Sequence, residues 1–339
     1  MNESVLLEEF KIKDLLDKYP YSKEFFNING LPIDDVDNTV KDYIDSLGYV
    51  FLEDMGLNQE DLIKRFRSFM CRMKAIREEP AFNIRDITIL GGRDKTERPE
   101  EKDLKICIGE IICIVGPTGS GKSRLLADIE WMAQRDTPTR RQILINGSVP
   151  PNDWRFSVEH KLVAQLSQNM NFVMDVSVGE FIILHAQSRL IDNSERKAQE
   201  IVSHANELSG ERFDINTPLT SLSGGQSRAL MVADTAFLST SPIVLIDEIE
   251  NAGINRKKAL ELLIGQNKIV LIATHDPLLA LMGNKRIVVK NGGIQKVITT
   301  TSNEKKGLLR LTEIDNILMK YRESLRNGQL LEIGDELLW

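Results

Sequence analysis

Five consecutive apolar residues, Ile111-Ile-Cys-Ile-Val115, run directly into Gly116-Pro117-Thr118-Gly119-Ser120-Gly121-Lys122-Ser123. No other stretch restricts the fold as much. A short apolar run of this kind reads as a buried strand. The glycines let the backbone curl so that successive N–H groups point inward, and a helix beginning near Lys122 adds the positive end of its dipole. A strand, a glycine-rich loop and a helix start, in that order, hold the phosphates of a nucleoside triphosphate. Lys122 can reach the β- and γ-phosphates, and the Ser123 hydroxyl can hold Mg²⁺. Arg124 follows directly and is counted with the loop. The other reading is an ordinary glycine turn, and the preceding strand argues against it.

The chain has 339 residues, enough for two domains or for one large α/β domain with appendages. Its net charge of −7 argues against nucleic acid as the default partner. Cys71, Cys107 and Cys113 form no CxxC pair. Cys107 and Cys113 alternate into the apolar strand, where a small buried hydrophobe is expected. This usage fits a reduced, cytoplasmic protein. No apolar run approaches the length of a membrane span, since Ile269–Ala273 is broken by Thr274-His275-Asp276. The acidic start MNESVLLEEF lacks a signal-peptide pattern. Any association with the inner face of a membrane is expected to need another chain.

Residues 1–79 read as a helical module. Within it, residues 61–77 place Ile63, Phe66, Met70 and Met73 on one face, with Lys64, Arg65, Arg67, Arg72 and Lys74 around the rest. Such a pattern fits a partner or nucleic-acid surface, or a solvated helix with a buried stripe; the second is expected. Residues 80–300 alternate strands with helices, which implies a largely parallel sheet. Strands are expected at 81–90, 106–115, 142–145, 161–166, 243–246, 268–273 and 286–289, with a polar surface loop over 91–103. Helices are expected at 123–134, 178–190, 194–208 and 226–238. The tail, 301–339, carries Leu308, Leu311, Ile314, Leu318, Tyr321 and Leu325 at helical spacing, with Asn327-Gly328 as a stop. That stripe is expected to pack on this chain's own domain, with dimer or partner contact as the rival.

Pro242-Ile-Val-Leu-Ile-Asp247-Glu248 is an apolar strand ending in two carboxylates. Such a strand delivers Asp247 to the Mg²⁺ shell beside Ser123. Glu248 can then lie against the attacking water. Leu222-Ser223-Gly224-Gly225-Gln226 offers N–H groups and a hydroxyl at a second helix N-terminus, either an anion site or an ordinary N-cap.

That pentapeptide, about twenty residues before Asp247, resembles the signature of ATP-binding cassette (ABC) ATPases. The resemblance spans residues 82–298 and implies a P-loop α/β fold with a mostly parallel core sheet, an antiparallel β subdomain and a helical subdomain over about 169–222. It implies that Gln168 is the glutamine that senses Mg²⁺ and water, and that Met174–Phe181 enters the helical subdomain. His275 becomes the switch histidine that contacts the γ-phosphate. His160, His185 and His204 have no such context. The family implies a homodimer, or a heterodimer with a similar ABC subunit, in which Ser223, Gly224, Gly225 and Gln226 of one copy close over ATP·Mg²⁺ on the phosphate loop of the other.

Three departures from the family pattern stand out. Ile249-Glu250-Asn251 replaces the usual Pro-Thr after Glu248. Ala252-Gly-Ile-Asn255 ends in Asn where Asp is usual. The aromatic that stacks on adenine is missing from residues 91–98, where Arg93 or Arg98 can stack instead. The catalytic set remains, so hydrolysis is expected rather than binding alone. The segment from Ile12 to Gly30 faintly resembles helical modules found beside iron–sulfur and redox repair proteins. It has Leu31-Pro-Ile33 where those carry cysteines, which leaves a docking role. A soluble ATPase acting on a cytosolic protein such as a metalloenzyme, and the nucleotide-binding subunit of a membrane transporter, are the two expected uses.

Overall fold

A computed structural model describes residues 7–33, 35–48, 52, 56, 58–78, 83–100, 103–156, 161–167, 172–189, 191, 193–247 and 254–330. The chain divides into two units, Met1–Ala81 with Gln187–Asp192, and Phe82–Ala186 with Asn193–Trp339.

In the first unit, α1 (Ile12–Lys18), α2 (Ser22–Ile28), α3 (Val40–Ser46) and α4 (Gln59–Glu78) enclose a core of their own. Phe25 and Phe66 meet edge to face at 5.1 Å, and Ile12, Leu15, Phe26 and Ile44 are buried around them. Thr39 caps α3 by accepting from the Asp42 amide. On α4, Leu62, Phe66 and Met70 are buried while Lys64, Arg65 and Arg72 face solvent. Arg67 pairs with the nearly buried Glu8. The basic helix is therefore a packed stripe with a solvated face.

The second unit is built on two sheets. β5 (Val163–Leu166), β6 (Ile243–Asp247), β7 (Ile269–Ala273), β3 (Ile111–Val115) and β8 (Lys285–Lys290) lie parallel in that spatial order, and β9 (Gly293–Thr299) closes the edge antiparallel. β3, β6 and β7 are unbroken apolar runs because both faces of their sheet are covered. β2 (Leu104–Cys107), β1 (Asp86–Leu90) and β4 (Gln142–Ile145) form a smaller antiparallel sheet. β1 alternates, with Ile87 and Ile89 buried.

The strand expected over 106–115 is two strands in two sheets. The chain turns at Gly109 (φ +78°), where the Glu110 amide donates to the Cys107 carbonyl. Cys107 is consequently exposed, and only Cys113 is the buried hydrophobe expected of both. Burial pushes the Cys113 thiol up to about 12. β8 is the strand expected over 286–289, and β9, which pairs with it as a hairpin, is an addition to the expected elements. The hairpin's two-residue turn, Asn291-Gly292, has φ of +57° and +83°, the left-handed pair that an Asn-Gly turn supplies.

The helices are α5 (Lys122–Glu130), α6 (Asn152–Phe156), α7 (Val178–Ser188), α8 (Ser194–Leu208), α9 (Gly224–Phe237), α10 (Arg256–Gly265), α11 (Pro277–Met282) and α12 (Ser302–Arg326). α5 ends earlier than expected, with Met132 in the left-handed region at φ +46°. α12 packs on α11 and stops at Gly328, φ +70°. Its Leu308, Leu311, Ile314 and Tyr321 are half-buried, whereas Leu318 and Leu325 are exposed, so the tail stripe is covered only in part. Among the described residues no helix is long and apolar enough to cross a membrane.

Candidate nucleotide site

Three neighbouring strands end together. Ala273 at the end of β7 is level with Ile114 of β3 on one side and Asp247 of β6 on the other. Everything that leaves these C-terminal ends meets at one sheet edge, where parallel α/β sheets bind ligands. From β3 comes the glycine loop, from β6 Asp247, and from β7 Thr274-His275-Asp276.

Side chains complete the meeting. Lys122, nearly buried, donates to the carbonyls of Gly116 (3.0 Å) and Pro117 (3.4 Å), and its Nζ stands 3.0 Å from His275 Nε2. Ser123 Oγ donates to Asp247 Oδ2 at 3.2 Å. Next to His275, Asp276 caps α11 by accepting from the amides of Leu278 and Leu279. Arg256 grips Asp276 and reaches Asp315 on α12 at 2.8 Å.

The loop needs its glycines at two positions. A Cβ on Gly116 would lie 2.2 Å from the Val289 carbonyl oxygen. Gly121 has φ +108°, and a Cβ there would lie 2.8 Å from Gly292 Cα. Gly121 is also the N-cap of α5, with no side chain closing it, so the first amides of the helix keep their donors for an anion. Ser120 Oγ is buried without a hydrogen-bond partner among the described residues. The Arg124 side chain runs toward Asp128 (3.7 Å) and lies over Trp131.

Ser223 and Gln226 form a different arrangement. Ser223 caps α9 by accepting from the Gln226 amide, and the Gln226 side chain accepts from the Ser223 amide at 2.8 Å, a complete capping box. Gln226 Nε2 also donates to the Arg212 carbonyl. Gly224 and Gly225 form the first turn of the helix. Asn255 caps α10 by accepting from the Lys258 amide. Gln168, Glu248, His160, Ala252 and Gly253 lie outside the described residues.

Two features escaped the sequence. The first is a buried clasp behind the loop. Arg141, fully buried, donates to Glu100 twice (3.0 and 2.6 Å), to Asp128 on α5 (2.8 Å) and to the Gly292 carbonyl (2.7 Å). The Gly292 amide donates to Ser120 O at 2.7 Å, which ties the hairpin turn to the phosphate loop. Burial disfavours the charge on Glu100, but the Arg141 contacts and the amides of Gly92 and Ile294 outweigh it and hold its carboxyl below the usual range. The second feature is Lys95, whose Nζ donates to Gly119 O at 3.2 Å. The Asn-Gly dipeptide at 291–292 is a local signal for the turn, but nothing local marks its partners.

A parallel sheet whose strand ends gather a glycine loop, a lysine, a serine and a carboxylate has the construction of a P-loop nucleoside triphosphatase. A family model described as ABC transporter matches residues 100–251. The uncharacterized ABC transporter ATP-binding protein MJ0121 of Methanocaldococcus jannaschii is 54% identical over 253 residues, covering 74% of this chain and 97% of the relative. The ABC transporter ATP-binding protein YtrE of Bacillus subtilis is 29% identical, covering 61% and 92%. Among solved structures, the dimeric structure of MJ0796, a bacterial ABC transporter cassette, aligns at 23% identity with a TM-score of 0.49, covering 64% of this chain and 99% of that one. The chain belongs to the ABC transporter ATP-binding family, and it is an ATP-binding ATP hydrolase of the ABC type.

Proposed function

We propose that this ATPase works as a head-to-tail dimer, with two ATP·Mg²⁺ held between the phosphate loop of one copy and Leu222–Gln226 of the other. The observation that carries the reading is the hydrogen-bonded set Lys122–His275 and Ser123–Asp247 at one sheet edge. The amides of Gly119 and Gly121–Arg124 cradle the phosphates, since Pro117 has no N–H and the Ser120 amide donates to the Pro117 carbonyl; Lys122 neutralises them, and His275 meets the γ-phosphate. Ser123 and Asp247 offer a hydroxyl and a carboxylate oxygen side by side, which suits Mg²⁺, a hard cation that completes its shell with phosphates and water. Gln168 would contribute a further oxygen to hold the metal. The metal would offset charge on the phosphate oxygens. Glu248 orients and deprotonates the attacking water. ATP favours the closed dimer by binding that state better, and hydrolysis releases it.

The output is a conformational switch passed to a protein partner. The N-terminal helices, with a core separate from the ATPase sheet, supply a docking module and support a soluble cytoplasmic partner such as a metalloenzyme. Exposed thiols at Cys71 and Cys107 agree with a reducing compartment. A second reading, the nucleotide-binding subunit of a membrane transporter working at the inner membrane face, is favoured by the names of the relatives. Recovery of a polytopic membrane protein with the native chain would decide for that second reading; an enzyme bound through residues 1–79 would decide for the first.

Glu248→Gln is expected to hold ATP without turnover and to elute at twice the monomer mass in ATP and Mg²⁺. Hydrolysis at the parent rate would refute the role of Glu248, and a monomer at saturating ATP would refute the dimer.

A further inference from the structure

We propose that Lys95 is a second phosphate-binding cation of the nucleotide site, set across the apex of the loop from Lys122 and directed at the α- and β-phosphates. This rests on the reading that Gly116–Ser123 holds a nucleotide.

The segment that carries Lys95 is fixed at many points. The Arg93 amide donates to Thr139 O at 2.6 Å, and the Glu100 amide to Gly92 O at 3.0 Å. Asp94 accepts from the Thr96 amide and hydroxyl (2.7 Å each) and from the Arg98 amide (3.0 Å), an Asx turn that holds the tip in shape. A Cβ on Gly92 would lie 2.0 Å from Thr139 O, so the loop backbone touches its neighbour directly. At the far end, Glu100 is gripped by buried Arg141. This is a built support rather than a slack surface loop.

The support aims Lys95 at the phosphate loop by two routes. Its amide donates to Asn291 O at 2.8 Å, in the turn whose Gly292 amide bonds Ser120 O. Its exposed side chain then lays the ammonium on Gly119 O, the only acceptor it has among the described residues. An exposed lysine head ordinarily stays in water, where its hydration is strong. Placed here, it has protons to offer to an anion lying on the loop.

The position selects the phosphates it meets. Lys122 shares its flank with Ser123, Asp247 and His275, the metal and γ-phosphate end. Lys95 reaches Gly119 instead, at the middle of the glycine turn, where loop amides take the α- and β-phosphates. The neighbouring cations are committed elsewhere: Arg93 pairs with Glu97 at 3.2 Å, and Arg124 extends toward Asp128. Since ATP and ADP share the α- and β-phosphates, Lys95 should serve both equally.

Titration calorimetry of ATP and ADP on full-length Lys95→Met, Lys95→Arg and Lys122→Ala tests this. Lys95→Met is expected to weaken both nucleotides by the same factor, about five- to tenfold, between the effect of an exposed ion pair and that of a full charge-assisted bond. Lys95→Arg should keep most of the affinity, and the Met deficit should shrink as salt rises. If Lys95→Met stays within about twofold of the parent while Lys122→Ala loses binding, the inference fails and the site reading stands. A deficit for ATP alone would place the lysine at the γ-phosphate and overturn the assignment. Undiminished binding by Lys122→Ala would remove the site reading and this inference with it.

Discussion

Two glycine-rich helix starts in this molecule are finished in opposite ways. At α5 the N-cap is Gly121, no side chain closes the end, and the chain passes so near Gly292 that none could. At α9 the N-cap is Ser223, locked with Gln226 in a capping box, and a Cβ on Gly224 would meet nothing nearer than Arg228 Nη1 at 4.0 Å. The first end is built from outside, by the hairpin turn and the Arg141 clasp; the second is built from its own residues. Under the proposed dimer, the phosphate loop must be ready in the free chain and cannot spend its amides on a cap, whereas the α9 start can stay capped until a second copy's nucleotide arrives, at a cost of about 1 kcal/mol to open.

The contrast can be broken by substitution. Arg141→Met should have the largest effect, since it leaves Glu100 and Asp128 buried without their cation; a loss of about 3–5 kcal/mol is expected in urea unfolding. Gly121→Ala should cost about 1–3 kcal/mol for a strained left-handed residue, and ATP affinity should fall with it because Lys122 is displaced. Ser223→Ala removes only a local cap, so about 1 kcal/mol is expected, with ATP binding to the monomer unchanged. Asn255→Asp keeps the cap and adds a charge that suits a helix start, for a gain of about 0.3–1 kcal/mol. Should Ser223→Ala prove as damaging as Arg141→Met, the claim that α9 is finished locally fails.

Acid sharpens the same comparison. Glu100 titrates below its ordinary range in the folded state, so as pH falls the unfolded chain takes up its proton first. Its contribution is full above the ordinary carboxylate pKa and drains as pH falls through the folded value. Glu100→Gln should therefore show a flatter acid limb in a plot of stability against pH, whereas Ser223→Ala should keep the parent slope.

What the sequence disclosed follows from where each constraint lies. β6 and β7 were legible because a strand covered on both faces must be apolar throughout. The phosphate loop was legible because its backbone demands glycine in fixed places. The break between Cys107 and Ile111 was not, since one glycine divides two apolar strands that go to different sheets. Arg141 was hidden for a further reason. Thr139-Arg140-Arg141 reads as surface, and its burial depends on partners 13 and 41 residues away and on the distant carbonyl of Gly292. Nothing in the sequence sets Lys95 apart from Arg93 and Arg98, because the reach of a loop side chain depends on how the loop is pinned.

The central claim is that each working site needs Lys122 from one copy and the α9 start from the other. Lys122→Ala and Gly224→Asp test it by mixing. Gly224 has room for a side chain, and an acidic residue in the first turn suits the helix dipole, so Gly224→Asp should fold normally while repelling phosphate. Each variant alone should be inactive. Mixed in equal amounts, half the dimers carry one intact site, and turnover should return to about a quarter of the parent rate. A mixture as inactive as its components, with dimers present, would contradict the shared site.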